Sequence, residues 1–270
     1  MMKISAIVIA KDEEVMIADC LDSLSFCDEI IVVNNLSNDH TVEIAQRMGA
    51  KVFDCDSDSF STLRNFGLKK AGGEWALYVD ADERVSAELV AAIKSQISRQ
   101  RRGSQRAANL PPKARLAKGG KSQLAAFKIM RKNFYLGNHE WPKIEKMERL
   151  FKKDKLKGWK GELHEGPIVE GQIGEIEGFL LHYTHRNLFE MLEKTIKWSK
   201  IEAKLRFDHG HPKMAWWRFP RVMISTFFDY YIRQEGYKVG TAGLIESMYQ
   251  SFSIFVTYAR LWELQNKKND

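Results

Sequence analysis

The chain has 270 residues, 44% hydrophobic and 29% charged, with 6 prolines; this fits one large domain, or one plus an appendage, and excludes disordered and fibrous classes. The net charge is +7, and the excess is local: between Leu89 and His139 there is no Asp or Glu, while Lys and Arg occur twelve times. Such a stretch implies an anionic partner (a nucleotide, a phospholipid surface, an acidic glycolipid or nucleic acid), and charge does not choose among them.

The N-terminus carries a seven-residue apolar run, Ile4–Ala10, before charges begin. That reads as a strand covered on both faces and is too short for the apolar core of a signal peptide. Glu14–Leu24 has a helical stripe, Glu29–Val33 is a second strand, and Asn34 to Asp39 is a polar turn. Thr41–Met48 is a helix closed by Gly49, and Ala50–Phe53 is a short strand. Ser61–Ala71 is a helix stopped by Gly72 and Gly73, and Trp75–Val79 is a strand running into Asp80-Ala81-Asp82-Glu83. Ser86 caps a helix over Ala87–Ile97. Repeated strand–helix units of this length predict an α/β fold, a mostly parallel sheet with helices on both faces.

Arg99–Ser122, rich in Arg, Lys, Gly and Pro, interrupts the rhythm and reads as a flexible basic insertion. A strand resumes at Leu124–Arg131, and short strand-like pieces around glycines fill 133–184. From Asn187 onward the pattern is helical and aromatic. The division expected is therefore 1–185, an α/β domain, and 186–270, a helical C-terminal region. The tail's aromatics, from Trp198 to Trp262, have two readings: packed core, or an interfacial face turned outward with Arg218, Arg221, Arg233, Lys238 and Arg260. The second reading puts the protein peripherally on the inner face of the cytoplasmic membrane. The longest uncharged run near the C-terminus, Ser247–Ala259, is too short to span a bilayer. Cys20, Cys27 and Cys55 are odd in number and form no CxxC pair, which disfavours a disulfide framework or cysteine-ligated zinc and points to a reducing cytoplasm.

Several chemistries drop out by missing motifs. Lys11-Asp12-Glu13, not a glycine-rich loop, follows the first strand, and neither GxxxxGK[ST] nor HExxH occurs. The same missing loop argues against a nucleotidyltransferase, and no RNP, helix-turn-helix or zinc motif supports nucleic-acid binding. What remains is the Asp80-x-Asp82 pair at the carboxyl end of an apolar strand, the edge where open α/β sheets bind ligands. Carboxylates so spaced can address Mg²⁺ or Mn²⁺ bridging a diphosphate; a solvated turn capping the next helix is the alternative.

Around these residues the chain resembles family 2 inverting glycosyltransferases of the GT-A fold. The segments ISAIVIAKDEE, DEIIVVNNLSNDHTVEIAQRMGAKVF and STLRNFGLKKAGGEWALYVDADE are similar to the family's first strand and turn, its second strand and turn, and the approach to its DxD motif. RKNFYLGNHEW (131–141), ERLFKK (148–153), GELHEG (161–166) and LLHYTHRNLFEMLEKTIKWS (180–199) resemble the lipopolysaccharide core β-1,4-glucosyltransferase type. The resemblance covers nearly the whole chain except Arg99–Ser122, specific over the first 90 residues and looser afterwards.

The resemblance implies a metal-dependent hexosyltransferase that uses a nucleotide-diphosphate sugar, a UDP-sugar first, with a glycolipid or saccharide acceptor. It implies metal binding by Asp82, with Asp80 at the ribose or metal. Ala10, Glu13, Arg64, Asn65 and Ala81 fall on the nucleotide side. Asn34 and Asn35 stand where the family usually has an Asp that accepts from the base; an amide oxygen can accept that bond, without the charge. Glu165 matches the segment that supplies the catalytic base, a surface Glu in a glycine-rich turn being the other reading. His164 would orient Glu165, ligate the metal, or be structural. His182 would contact metal or diphosphate, or be a satisfied core histidine. A polyprenyl-phosphate acceptor is an alternative, as is a basic membrane- or nucleic-acid-binding protein without catalysis.

Overall fold

In the computed structural model, residues 3–108, 124–161 and 165–267 are described. The chain divides into two compact units, Met1–Arg131 with Glu145–His182, and Lys132–Ile144 with Tyr183–Asp270. Residues 132–144, expected in the α/β part, thus belong with the helical C-terminal part.

The first unit is built on a sheet with strand order β3-β2-β1-β4-β8-β6-β11-β5. Strands β1 (Ile4–Ala10), β2 (Glu29–Asn34), β3 (Lys51–Asp54) and β4 (Trp75–Asp80) run parallel. Beyond β4 the direction changes. β8 (Glu145–Lys152) pairs antiparallel with β4 and with β6 (Ala126–Tyr135), and β5 (Glu83–Val85) pairs antiparallel with β11 (Ile173–Tyr183). A separate ribbon joins β9 (Leu156–Lys160) to β10 (Gly166–Val169).

Every residue of β1 is buried, as its unbroken apolar run requires. Its side chains alternate between two cores. Ala6 and Val8 pack with α1 (Ile17–Ser23), α2 (Thr41–Arg47) and α4 (Ala87–Ala108) on one face. Ile7 and Ile9 pack with Leu63 of α3 (Phe60–Lys70) on the other. α3 lies close because its contact residue is Gly67: a Cβ there would come within 2.5 Å of Ile7 Cγ2.

Helix α4 runs to Ala108, eleven residues past its expected end at Ile97. Residues 99–108 are therefore helical, not part of a flexible insertion. Arg, Gln and Ala are strong helix formers, and Gly103 is the only poor one among them. Residues 109–122 of the expected insertion lie outside the described residues.

In the second unit, β7 (His139–Glu140) turns back on the end of β6 and carries the chain into Trp141, which is 2% exposed. Asn187 accepts from Glu190 N at 3.0 Å and starts α5 (Leu188–Asp208). α6 (Arg218–Phe228) and α7 (Thr241–Asn266) follow. α5 and α7 meet through small and polar residues: Thr195 Oγ1 lies 2.6 Å from the Tyr249 hydroxyl, and Ala203 and Leu261 are fully buried. No helix among the described residues is long and apolar enough to cross a membrane.

A polar clamp ties the amino-terminal ends of the first strands together. Glu29 Oε1 accepts from Ser5 Oγ at 2.6 Å and from Gly72 N at 2.6 Å, and Oε2 accepts from Lys51 Nζ at 2.8 Å. The adjoining Gly73 donates to Ser5 Oγ, and a Cβ on it would lie 2.6 Å from that oxygen. Partial burial by itself would raise the Glu29 pKa, but Lys51, Ser5 and Gly72 outweigh it and bring the carboxyl to about 2. A depressed carboxylate contributes its full stability above its unfolded pKa and loses it as pH falls toward the folded one. The fold should therefore lose on the order of 2 kcal/mol through Glu29 as pH drops from the usual 4.5 toward 2. Urea midpoints of wild type and Glu29→Gln at neutral and acidic pH test this: the variant should be weaker at neutral pH, and the gap should close in acid.

Candidate active site

The carboxyl ends of β1, β2, β3 and β4 lie side by side, since Ala10 pairs with Asn34, Asn34 with Asp54, and Ile9 with Asp80. Most residues expected at the site sit on this edge or on α3 below it.

Asp80 closes β4, and both its oxygens are engaged. Oδ1 accepts from Arg64 Nη2 at 3.1 Å and Oδ2 from Arg149 Nη2 at 2.6 Å. Burial would raise its pKa, but the Arg149 and Arg64 guanidiniums hold it far below the usual carboxylate range. The pairing continues on both sides. Arg64 Nε donates to Glu165 Oε1 at 3.2 Å. Arg149 also reaches Glu83 Oε1 at 3.1 Å, which accepts as well from Arg131 Nη1 at 3.1 Å, and Arg131 pairs with Glu145. Glu83 Oε2 accepts the Asp80 backbone N–H at 3.0 Å. Three arginines and four carboxylates thus alternate along one line from Glu145 to Glu165.

Arg64 is held from behind as well. Its guanidinium lies 4.8 Å from the Trp159 ring centre and 5.7 Å from that of Tyr78, whose hydroxyl donates to the Arg64 carbonyl at 3.1 Å. The next residue, Asn65, donates from Nδ2 to Trp159 O at 3.0 Å and accepts from Trp159 N at 2.8 Å. Asn65 therefore fastens β9 to α3. Both ends of its amide, expected on the nucleotide side, are engaged by the Trp159 backbone.

Asp82, two residues past Asp80, faces a different partner: its Oδ2 lies 3.2 Å from His182 Nε2 on β11. The structure thus separates the two carboxylates expected to share a cation. Asp80, expected at the ribose or metal, is paired with two guanidiniums, and Asp82 stands beside an imidazole. Ala81 is buried and gives its carbonyl to Arg84 Nη1 at 3.1 Å.

Asn34 ends β2, and Asn35 follows it into the turn. Asn34 is buried, donates to Asp54 Oδ1 at 2.7 Å and accepts from Ser37 N at 3.0 Å. Asn35 bonds both ways to the Ser57 backbone, and its N–H donates to Ala10 O. These amides, expected to accept from a base, stitch the β2 turn to the end of β3 and the segment after it. Glu13 caps α1 with its carbonyl, and its N–H is held by Thr41 Oγ1 at 2.8 Å. His164 lies outside the described residues; Glu165 is described and is largely buried against Arg64.

Glu83, Arg131 and Arg149 were not expected here. The available signal was a charge inside a buried strand: Arg149 stands next to Leu150 and Phe151 in β8, and Glu83 opens the fully buried β5. Such residues persist only when paired. Breaking a pair there leaves its partners buried and charged. Arg149→Met should cost about 3–5 kcal/mol in a denaturant melt, while Arg149→Met combined with Glu83→Gln should cost less than the sum of the two single variants.

Residues 5–119 match the family model described as Glycosyl transferase family 2. An uncharacterized glycosyltransferase of Rickettsia typhi is 26% identical over 284 residues, covering 100% of this chain and 90% of that protein. The lipopolysaccharide core biosynthesis glycosyltransferase LpsC of Rhizobium meliloti is 23% identical, covering 96% and 92%. Among solved structures, a mannosyltransferase from Pyrobaculum calidifontis in complex with GDP-Man and Mn²⁺ superposes with a TM-score of 0.51 at 12% identity, covering 97% of this chain and 87% of that one. The fold is that of the GT-A transferases, and residues 5–119 are similar to glycosyltransferase family 2.

Proposed function

We propose that the protein transfers a hexose, with inversion, from a nucleoside-diphosphate sugar to a hydroxyl of a cell-envelope glycolipid or polysaccharide precursor. The observation that carries this reading is the pairing of Glu165 with Arg64 beside Asp80 at the carboxyl edge of the sheet.

The donor's diphosphate calls for positive charge, and a divalent cation fits the residues present. Asp82 and His182 put a carboxylate oxygen and an imidazole nitrogen 3.2 Å apart. Mg²⁺ and Mn²⁺ are held by one or two such ligands, with phosphate oxygens and water completing the shell. A cation held by Asp82 and His182 would supply positive charge to the leaving diphosphate. The Mn²⁺ in the Pyrobaculum calidifontis mannosyltransferase complex supports the same choice.

Glu165 is the base. Arg64 holds one of its oxygens, which fixes the carboxylate's direction and leaves the other to receive the acceptor's proton. As the acceptor oxygen bonds to the anomeric carbon, that proton passes to Glu165, and the bond from the anomeric carbon to the diphosphate breaks with its electron pair leaving on the nucleotide. Arg64 touches Glu165 and not the hydroxyl, so it is a positioning residue. Asp80, engaged by Arg64 and Arg149, sets where Arg64 stands. The likeness to LpsC supports a lipopolysaccharide-type acceptor.

Two measurements test this. Glu165→Gln should lower kcat about 10²–10⁴-fold with donor affinity within a few-fold of wild type; near-normal turnover removes Glu165 from the role. Asp82→Asn and His182→Gln should each weaken Mn²⁺-dependent nucleotide binding by calorimetry while leaving the melting temperature of the unliganded protein nearly unchanged. Undiminished metal-dependent binding by both variants would falsify the cation site.

A further inference from the structure

We propose that the segment Trp216–Phe228 is a docking surface for an anionic lipid bilayer, on which the protein lies without crossing it. The inference goes beyond the transfer reaction and stands on the geometry of the second unit.

α6 has no fully buried residue along its length. Its inner side packs on α7 through the Phe219–Phe255 ring contact at 5.8 Å and the bond from Ser251 Oγ to Met223 O at 2.9 Å. Its outer side carries Trp217, Arg221, Ile224 and Phe228, spaced four, three and four residues apart. That spacing lines one face of a helix. The three apolar members are 43–57% exposed, and the neighbouring Trp216 is 82% exposed. The tryptophans are presented by an anchored backbone. Met214 is buried, its N–H donates to Gln265 Oε1 at 2.8 Å, and Gln265 Nε2 returns to His211 O at 3.0 Å.

Charge chooses the occupant. From His209 to Phe228 there is no acidic residue, while Lys213, Arg218 and Arg221 lie within or beside the apolar stripe. The guanidinium carbons of Arg218 and Arg221 sit 5.2 and 6.0 Å from the Trp217 ring centre. A second copy packed on this face would set arginines against arginines on a chain that already carries +7, and like charges brought together oppose association. A layer of anionic headgroups over hydrocarbon matches both features. Trp settles at the headgroup level, Ile and Phe enter the acyl boundary, and arginines meet phosphate.

The test uses the whole protein with vesicles of phosphatidylcholine, pure or containing about a third phosphatidylglycerol. Wild type should co-sediment with the anionic vesicles, with a blue shift in tryptophan emission, and should come off as salt is raised. Trp216→Ala with Trp217→Ala should weaken this binding about tenfold or more. Arg218→Gln with Arg221→Gln should weaken it about fivefold per arginine and abolish the preference for anionic over neutral vesicles. Melting temperatures and donor hydrolysis should stay at wild-type values, which keeps a failure here distinct from a failure of the transferase reading. If the paired variant melts early, Trp216→Ala alone replaces it. Wild type left in the supernatant, or tryptophan variants that bind as wild type does, overturns the proposal. So does a wild-type dimer in analytical ultracentrifugation that the tryptophan variants dissolve, which assigns the face to a second copy.

Discussion

An ionised carboxylate at the end of a buried strand needs a counter-charge, and the rest of the site depends on how Asp80 obtains two. Arg64 comes from α3, before β4, and Arg149 from β8, after it. Neither arginine is tolerable alone in its place: each is about 5% exposed, and each needs the acid as much as the acid needs it. The pairing fixes where α3 sits against the end of β4 and how β8 docks beside β4. Arg64 then carries that placement to Glu165, the last acid in the line.

The arrangement divides labour between two aspartates that look equivalent in the sequence. Asp80 faces inward and is neutralised by protein cations. Asp82 lies past the turn, next to the histidine that β11 delivers. The separation has a simple origin. Successive side chains of a strand point to opposite faces, but the chain turns between β4 and β5 at Ala81-Asp82, so the alternation is broken where ligands bind. Glu83 bonds the Asp80 amide and the Arg149 guanidinium and holds that turn closed.

The first hundred residues were legible because the signals there are local. An unbroken apolar run gave β1, glycine after an amphipathic stretch ended α2, and the run into the DxD segment marked the ligand edge. The limits were long-range. That Asn34, Asn35 and Asn65 serve the fold depends on Asp54, Ser57 and Trp159 arriving from elsewhere in the chain. An amide's spacing along a sequence says nothing about what stands opposite it. Arg149 was visible as part of a motif, but its partners are 66 and 69 residues away. α4 outran its expected end because composition rich in Arg and Gln suits a solvated helix as well as a loop. The tail's aromatics divide: Phe219 and Tyr258 pack inward, while Trp216, Phe228 and Trp262 are exposed.

The line of alternating charges also bears on how the chain assembles as it is made. Its acids Asp80 and Glu83 are synthesised long before Arg131 and Arg149, and β4 gains its antiparallel neighbour only when β8 has emerged. Until then the four parallel strands can pair in order and Arg64 can reach Asp80, but the second cation of Asp80 and both cations of Glu83 are still to come. The β4 edge therefore gains its neighbour only from residues made later, Arg149 arriving with β8 and Arg131 with β6. Long-range closure of this kind slows folding and leaves a sheet edge uncovered in the meantime.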